Sequence, residues 1–312
     1  MNVKRSKFVL VLVCIIIFLS SCEDQEERQI PIDKSPNLII NVIENDPMLS
    51  LLSEAILFTD LNDILINDSD YTFFAPNNNA LSQFIELRGA STLVDLDRDE
   101  LRNILMYHLT DGLLLESEIM TDYVETWNNS SPDESYVSMY INADTGVRLN
   151  NKSDIVIGNV DAENGVLHIV DEVLEIPTIK NIISDNEEFS TLRTVIQRVG
   201  LDEQMSSDKA LTFFAPNNEA FERFLVVLSL ESLDDIPDDT LRDIVQYHFI
   251  ESNIKKNDFR TGKLNTLNPK NDIEVEIGTD IRINNHVTLT NADIQSANGV
   301  VHMIDEVLLP SS

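Results

Sequence analysis

An internal duplication constrains the fold of this chain more than any other feature of its sequence. The motif Thr-Phe-Phe-Ala-Pro-Asn-Asn at 72–78 recurs unchanged at 212–218, at an offset of 140 residues. The Tyr-His pair at 107–108 recurs at 247–248, at the same offset. A repeat of this length is the size of a whole domain and is too long for a solenoid unit. The sequence therefore predicts two copies of one domain.

A third repeated motif sets the boundaries of the two copies. The segment 164–174 recurs at 298–308 with eight of eleven positions identical, now at an offset of 134. The first copy must then hold six extra residues, which we expect in the turn-rich segment 128–133. The predicted domains are 36–176 and 177–312. No flexible linker separates them, so a fixed or semi-rigid pair is expected.

Within each copy, helical patterns come first and strand patterns come last. Apolar residues at helical spacing, such as Leu192, Val195 and Ile196, mark the opening helices. The Thr-Phe-Phe-Ala strand ends at a proline, and the asparagines that follow can cap the next helix. Apolar and polar residues alternate at 273–277, and an Asn-Gly turn precedes the closing strand. This order predicts an α+β domain without βαβ alternation and without a parallel sheet.

The N-terminal residues have the pattern of an export signal. Basic residues at 4, 5 and 7 precede an apolar run over 8–19, which is shorter than the ~20 residues that a membrane span requires. The run ends in Leu-Ser-Ser-Cys at 19–22, which resembles a bacterial lipobox. We therefore expect a signal peptide over 1–21, and lipid attachment at Cys22 as the only contact with the membrane. The alternative is an ordinary signal peptide followed by a chance cysteine.

A short acidic tether is expected at 22–35. Its acidic start, from Glu23 to Glu27, resembles the export signal that sends lipoproteins of Bacteroidetes to the outer face of the outer membrane. This resemblance implies an outer membrane lipoprotein exposed on the cell surface, with the periplasmic face as the alternative. A solvated acidic linker without any address would have the same composition.

Charge and motif content exclude several classes of function. The 54 acidic residues against 22 basic ones give a net charge of −32, so nucleic acid is not an expected partner. The only cysteines are Cys14 and Cys22, so no disulfide and no Cys-type metal site is expected in the domains. The sequence also lacks nucleophile-elbow, metalloprotease and phosphate-loop motifs. We therefore predict no catalytic residue, no cofactor and no metal; a hydrolase with an acid pair is the alternative.

The three repeated motifs, in this order and spacing, resemble the fasciclin (FAS1) domain. The resemblance covers residues 36–176 and 177–311 and identifies the chain as a tandem fasciclin lipoprotein. It implies a wedge-like β-sandwich flanked by helices, in a secreted or surface-bound protein that adheres to cells, matrix or polysaccharide. In animal relatives, the segments around the Tyr-His pair and around the Asp-Ile pair before the last strand are implicated in integrin adhesion. The corresponding candidates here are Tyr107, His108, Tyr247, His248, Asp293 and Ile294.

Helical periodicity indicates a structural role for the two histidines of the Tyr-His pairs. His108 continues an apolar face formed by Leu101, Ile104 and Leu105, and His248 does the same in the second copy. We therefore expect both rings to be buried and neutral with their nitrogens bonded, and each tyrosine to lie at the edge of that face. Two histidines per copy are too few to hold a metal ion without a third ligand.

The leading hypothesis is noncatalytic adhesion or ligand binding at the cell surface, with a matrix protein or a polysaccharide as partner. The alternative is a glycan-binding accessory protein of an outer-membrane polysaccharide uptake system. Sugar rings stack on aromatic faces, and the divergent part of the first copy offers Trp127, Tyr123, Tyr136 and Tyr140. A purely structural role in a surface complex is a further alternative.

Overall fold

The computed structural model describes residues 37–67, 69–206 and 209–310. The predicted signal peptide (1–21), the lipid attachment site Cys22 and the tether (22–35) lie outside the described residues. In the first copy the helices are Ile39–Asn45 (α1), Ser50–Phe58 (α2), Asn62–Leu65 (α3), Asn78–Leu87 (α4) and Arg98–Tyr107 (α5). The strands are Tyr71–Pro76 (β1), Leu109–Asp111 (β2), Asp122–Glu125 (β3), Ser138–Asn142 (β4), Arg148–Leu149 (β5), Ser153–Ala162 (β6) and Gly165–Val170 (β7).

The second copy repeats this order with one helix fewer among its described residues. Its helices are Ile179–Asp185 (α6), Ser190–Val199 (α7), Asn218–Leu228 (α8) and Asp238–Tyr247 (α9). Its strands are Leu211–Pro216 (β8), Phe249–Ile250 (β9), Gly262–Asn265 (β10), Asp272–Ile277 (β11), Ile281–Ile283 (β12), Val287–Ser296 (β13) and Gly299–Ile304 (β14).

Each copy contains one seven-stranded sheet. The strand orders are β2-β1-β7-β6-β5-β4-β3 and β10-β11-β12-β13-β14-β8-β9. The pairs β1–β7 and β8–β14 are parallel, while the other neighbours are antiparallel. The expectation of no parallel sheet is therefore wrong for one pair in each copy. The first and last strands lie side by side because the long connection between them, which includes two helices, lets the chain return in the same direction.

The sheet separates two hydrophobic cores in each copy, which explains why β1 and β8 are buried along their whole length. In the first copy Phe73 points into the core between the helices and the sheet. The next residue, Phe74, points the opposite way into the core between the two halves of the sheet. Phe213 and Phe214 divide in the same way. The predicted α+β class, a β-sandwich flanked by helices in each of two tandem domains, is confirmed.

Equivalent hydrogen bonds locate the six extra residues of the first copy. The side chains of Asn128 and Asn268 both donate to a carbonyl of the preceding helix, at 2.9 and 3.1 Å, and these residues still differ by 140. The carbonyls of Ser138 and Asp272 both accept from the motif tyrosine at 3.0 Å, and these residues differ by 134. The insertion therefore lies between 128 and 138, an interval that contains the predicted segment 128–133 except for Asn128 itself.

The inserted segment contacts the second copy. Lys255 Nζ donates to Ser135 Oγ at 2.7 Å and lies 3.1 Å from Asp133 Oδ2. Beside it, the backbone N–H of Gln295 donates to Ser138 Oγ at 3.0 Å in a buried position. These contacts support a fixed arrangement of the two copies.

Among the three described ranges, the structure holds no helix with the length and apolar character of a membrane span.

Candidate functional site

The Tyr-His pairs lie inside the protein, at the ends of helices α5 and α9. The exposed fraction is 0% for Tyr107 and His108, 4% for Tyr247 and 2% for His248. The prediction that both histidines are buried is confirmed. The tyrosines were expected at the edge of the apolar face, but they are buried as well. Their side chains pack in the core between the two halves of the sheet. This core covers a side of each helix that the apolar periodicity does not predict to be buried.

Each motif histidine ties its helix to the chain after the closing strand. His108 Nδ1 lies 2.8 Å from the carbonyl oxygen of Ile104, and its Nε2 lies 3.0 Å from the backbone nitrogen of Leu174. A carbonyl only accepts and an N–H only donates, so the proton is on Nδ1 and the ring is neutral. His248 repeats both bonds with Ile244 and Leu308. Burial lowers the pKa of each ring to about 4, against the opposing effect of the bond to the helix carbonyl.

The hydroxyl groups of the motif tyrosines also form internal hydrogen bonds. Tyr107 Oη donates to the carbonyl of Ser138 and accepts from Asn150 Nδ2, both at 3.0 Å. In the second copy Asn284 takes the place of Asn150, also at 3.0 Å. Both asparagines have positive φ, 51° and 49°. Sequence reasoning missed them, although an asparagine in a tight turn is the residue type that adopts this backbone most readily. Burial raises the pKa of the Tyr107 hydroxyl and keeps it protonated.

The Asp-Ile pair divides between the core and the surface. Ile294 is 1% exposed and packs in the core between helices and sheet. Asp293 lies at a register shift of β13 with φ of 63°, and its side chain remains 36% exposed. Its Oδ1 accepts a hydrogen bond from the backbone N–H of Lys256 at 2.6 Å, so it holds the loop after β9 in place.

The first copy builds the same bulge with an amide. Asn159 has φ of 54°, and its Oδ1 accepts from the backbone N–H of Glu116 at 2.9 Å. In both copies the bulge residue also donates its N–H to a buried histidine of the closing strand, His168 or His302, at 3.3 and 3.2 Å. The other ring nitrogen of each histidine lies 2.8 Å from a backbone carbonyl. Burial is the main cause that lowers the pKa of both rings.

These contacts leave no histidine nitrogen of the four buried rings open to a metal ion. Within the described residues, no group of three or more His, Cys, Asp or Glu side chains is arranged to hold one. The fifth histidine, His286, is 62% exposed on the surface of the second copy and lies 3.5 Å from Glu306.

Trp127 lines an open cleft of about 320 Å³ in the first copy. Its Nε1 donates to Asp111 Oδ1 at 2.7 Å, and its ring meets Tyr71 edge to face at 5.1 Å between centroids. Tyr136, 52% exposed, forms another part of the cleft. Thr110 is also among the lining residues, and its buried hydroxyl has no hydrogen-bond partner among the described residues.

The other two aromatic candidates are not at this cleft. Tyr123 and Tyr140 pack against each other, 5.0 Å between centroids, where the two copies meet. Asn186 of the second copy donates to Tyr123 Oη at 3.2 Å, and the Tyr123 ring packs against the core of that copy. These two rings therefore serve the contact between the copies.

The fasciclin domain model matches this chain twice, over residues 47–177 and 187–310. The chain belongs to the fasciclin family. It is 31% identical over 273 residues to transforming growth factor-beta-induced protein ig-h3 of Sus scrofa, covering 82% of this chain and 38% of that protein. It is 30% identical over 250 residues to periostin of Homo sapiens, covering 78% of this chain and 28% of that protein.

A solved structure of a FAS1 domain pair from the insect cell adhesion molecule fasciclin I has the same fold. It covers 84% of this chain and 97% of that one, with a TM-score of 0.54 and 20% sequence identity. The chain spans less than half the length of the two curated relatives named above. Both fasciclin domains bury the Tyr and His side chains of this motif, and the second domain also buries Ile294, so only Asp293 among the six family-implied candidates offers a partly exposed side chain.

Proposed function

We propose that this chain is a noncatalytic adhesion protein of the cell surface. The observation that carries the proposal is that the polar side chains of the family motifs are occupied by internal hydrogen bonds. Both nitrogens of His108 and of His248 are bonded to backbone groups, so neither ring is free to transfer a proton. The similar solved structure is that of a cell adhesion molecule, which supports the same class of function.

The adhesion proposal is tested with the full-length chain on living cells. Cells that produce the chain are compared with cells that lack it on surfaces coated with matrix proteins or polysaccharides, with and without an excess of soluble coating material. We expect adhesion to at least one coating that depends on the chain and is inhibited by the soluble material. Equal retention of the two cell types on every coating would refute adhesion as the function.

The location proposed for this function is the outer membrane, with a lipid anchor at Cys22 and exposure on the cell surface. The support is the lipobox-like segment at 19–22 and the acidic residues that follow it. Cys22→Ala should abolish labelling by a fatty acid and release the protein from membranes, whereas Cys14→Ala is the matched control and should change neither. Labelling that survives Cys22→Ala would rule out this anchor. Protease treatment of intact cells separates surface exposure from a periplasmic location.

Glycan binding at the Trp127 cleft is a second candidate function. The cleft combines two aromatic side chains, Trp127 and Tyr136, with the carboxylates of Asp111 and Glu125. Aromatic faces pack on the C–H faces of sugars, and carboxylates accept hydrogen bonds from their hydroxyls. This combination favours a neutral, hydroxyl-rich sugar over an anionic one.

Intrinsic fluorescence tests the cleft directly, because Trp127 is the only tryptophan of the chain. A binding glycan should change the emission, and Tyr136→Ala should weaken the response at least fivefold without disturbing the core, since Tyr136 is exposed. Tyr71 is unsuitable for this purpose because it is buried. No change in emission with any neutral polysaccharide would retire this candidate.

A further inference from the structure

Several cations of the second domain lack an ion-pair partner among the described residues, and two of these line one cleft, although acidic residues outnumber basic ones by 54 to 22. Lys256 and Arg260 are exposed, and neither forms an ion pair with any residue of the described ranges. The neighbouring Lys255, in contrast, is paired with Asp133. In a chain with this excess of carboxylates, two unpaired cations close together in sequence indicate a binding site for an anion that is not part of the chain.

Both cations line the same cleft, on the side of the second domain near the ends of β11, β12 and β13. Its volume is about 600 Å³, nearly twice that of the Trp127 cleft. Both polar and apolar side chains line it. Besides Lys256 and Arg260, the lining includes Asn257, Thr279, Asp280 and Thr288, with Ile277, Ile281 and Leu289.

The guanidinium of Arg260 is held in place from one side. Its Nη1 donates to the carbonyls of Asn257 and Phe259, at 3.0 and 2.7 Å. Its Nε and Nη2 have no acceptor among the described residues. Two adjacent N–H edges of a fixed guanidinium match the two oxygens of a carboxylate, and less conformational entropy is lost on binding when the fork is already oriented.

Lys256 is positioned by the bulge residue Asp293. The Asp293 side chain accepts from the backbone N–H of Lys256, at the start of the short turn Lys256–Asp258. This contact leaves the Lys256 ammonium free, because it uses only the backbone of that residue. Asp293 is therefore a positioning residue for the cleft.

The first domain shows that the fold does not require these cations. The hydrogen bond from Glu116 N–H to Asn159 is the counterpart of the bond from Lys256 N–H to Asp293, so Glu116 is the structural equivalent of Lys256. The same offset of 140 places Met120 at the position of Arg260. The pair of cations is thus a feature of the second domain alone.

We propose that this cleft binds a carboxylate-bearing sugar. Arg260 takes the carboxylate through two N–H groups, and Lys256 supplies the second positive charge. Thr279, Thr288 and Asp280 meet the sugar hydroxyls. The net charge of −32 opposes a long, densely charged polymer, so the ligand is a short acidic saccharide or a sparsely charged polysaccharide. The site is on the other domain from the Trp127 cleft and does not depend on the adhesion proposal.

The test is calorimetric titration of the full-length chain with a short oligosaccharide of uronic acids. The same oligosaccharide with its carboxylates converted to methyl esters is the ligand control. We expect binding of the acid and at least tenfold weaker binding of the ester. No heat of binding with the acid, or equal affinity for acid and ester, would overturn the proposal.

A pair of double variants separates the cleft from general charge. K256M/R260M removes two charges from the cleft, and K263M/R282M removes two exposed, unpaired charges elsewhere on the same domain. The first should lower the affinity for the acid at least tenfold, and the second less than twofold; equal losses would refute the site.

Two variants of Asp293 test its positioning role. Asp293→Asn, which installs the residue used in the first domain, should preserve the affinity, while Asp293→Ala should lower it. If both Asp293 variants lowered it equally, the positioning role would be wrong.

Discussion

The buried histidines should make the stability of both domains fall with pH below about 6.5. His108 and His248 have their pKa lowered to about 4 by burial, whereas an unfolded chain restores the ordinary value near 6.5. Between these two pKa values the unfolded state therefore binds protons that the folded state does not bind, so acid favours unfolding. The stabilisation is fully present above pH ~6.5 and is lost as the pH falls towards ~4. Burial lowers the pKa of His168 and His302 too, so these rings act in the same direction.

The size of the effect follows from the two values. At about pH 5 the unfolded ring is almost fully protonated and the folded ring almost fully neutral. Each of the two motif histidines then reduces the free energy of unfolding by about 2 kcal/mol, since one pKa unit corresponds to ~1.4 kcal/mol. His108 affects the stability of the first domain and His248 that of the second, so the unfolding transition of each domain should show this loss of stability at low pH.

A single variant isolates this effect from the many carboxylates that titrate nearby. His108→Gln should be less stable than the wild type at pH 7 by about 2 kcal/mol, because the groups of Ile104 and Leu174 lose a partner. Urea unfolding at pH 7, 6 and 5 should then show this gap closing by about 2 kcal/mol, because glutamine has no proton to bind. His286→Gln, at an exposed ring, is the matched control. A gap that stays constant from pH 7 to 5, or a folded His108 that titrates near 6.5 by NMR, would refute the reasoning.

Three further predictions concern the framework around the sites. Gly299→Ala should destabilise the second domain by about 3 kcal/mol or prevent folding, because a Cβ there would lie 2.1 Å from the backbone oxygen of Leu211. Gly278→Ala, whose nearest neighbour would be 3.8 Å away, should change the urea midpoint little. Tyr107→Phe should lower the free energy of unfolding, measured in urea, by about 1–2 kcal/mol, because it leaves Asn150 Nδ2 and the Ser138 carbonyl without their partner. Tyr136→Phe, at an exposed ring, should leave this free energy unchanged. Lys255→Met should broaden the distance distribution between spin labels on the two domains, because it removes the contacts to Asp133 and Ser135. Lys263→Met is the control and should leave the distribution unchanged. An unchanged distribution in Lys255→Met would show that other contacts hold the domains together.

Local patterns were sufficient for the parts of the fold that depend on neighbours in sequence. The face shared by Leu101, Ile104, Leu105 and His108 predicts a buried ring because residues three and four apart lie on one side of a helix. The burial of Tyr107 does not follow from that face. It depends on the opposite half of the sheet, whose strands come more than thirty residues later in the chain.

Long-range pairing accounts for the errors. The parallel contact between Tyr71–Pro76 and Gly165–Val170 joins segments separated by a whole domain of sequence, and alternation within either strand contains no information about its direction relative to the other. The predicted insertion wrongly included Asn128 for a related reason. Asn128 is polar and turn-like in sequence, but it holds the same buried position as Asn268.

The sequence by itself determined the duplication, the α+β class, the family and the burial of the motif histidines, because these follow from repeated motifs and from helical periodicity. Only the tertiary structure decided which polar groups are free. Lys256 and Arg260 look in sequence like any other basic residues, and Lys255 beside them looks the same. Whether a cation has a partner depends on carboxylates brought near it by distant parts of the chain, as Asp133 is brought to Lys255 across the two domains. Coulomb interactions depend on separation in space, so the candidate site becomes visible only when the chain is folded.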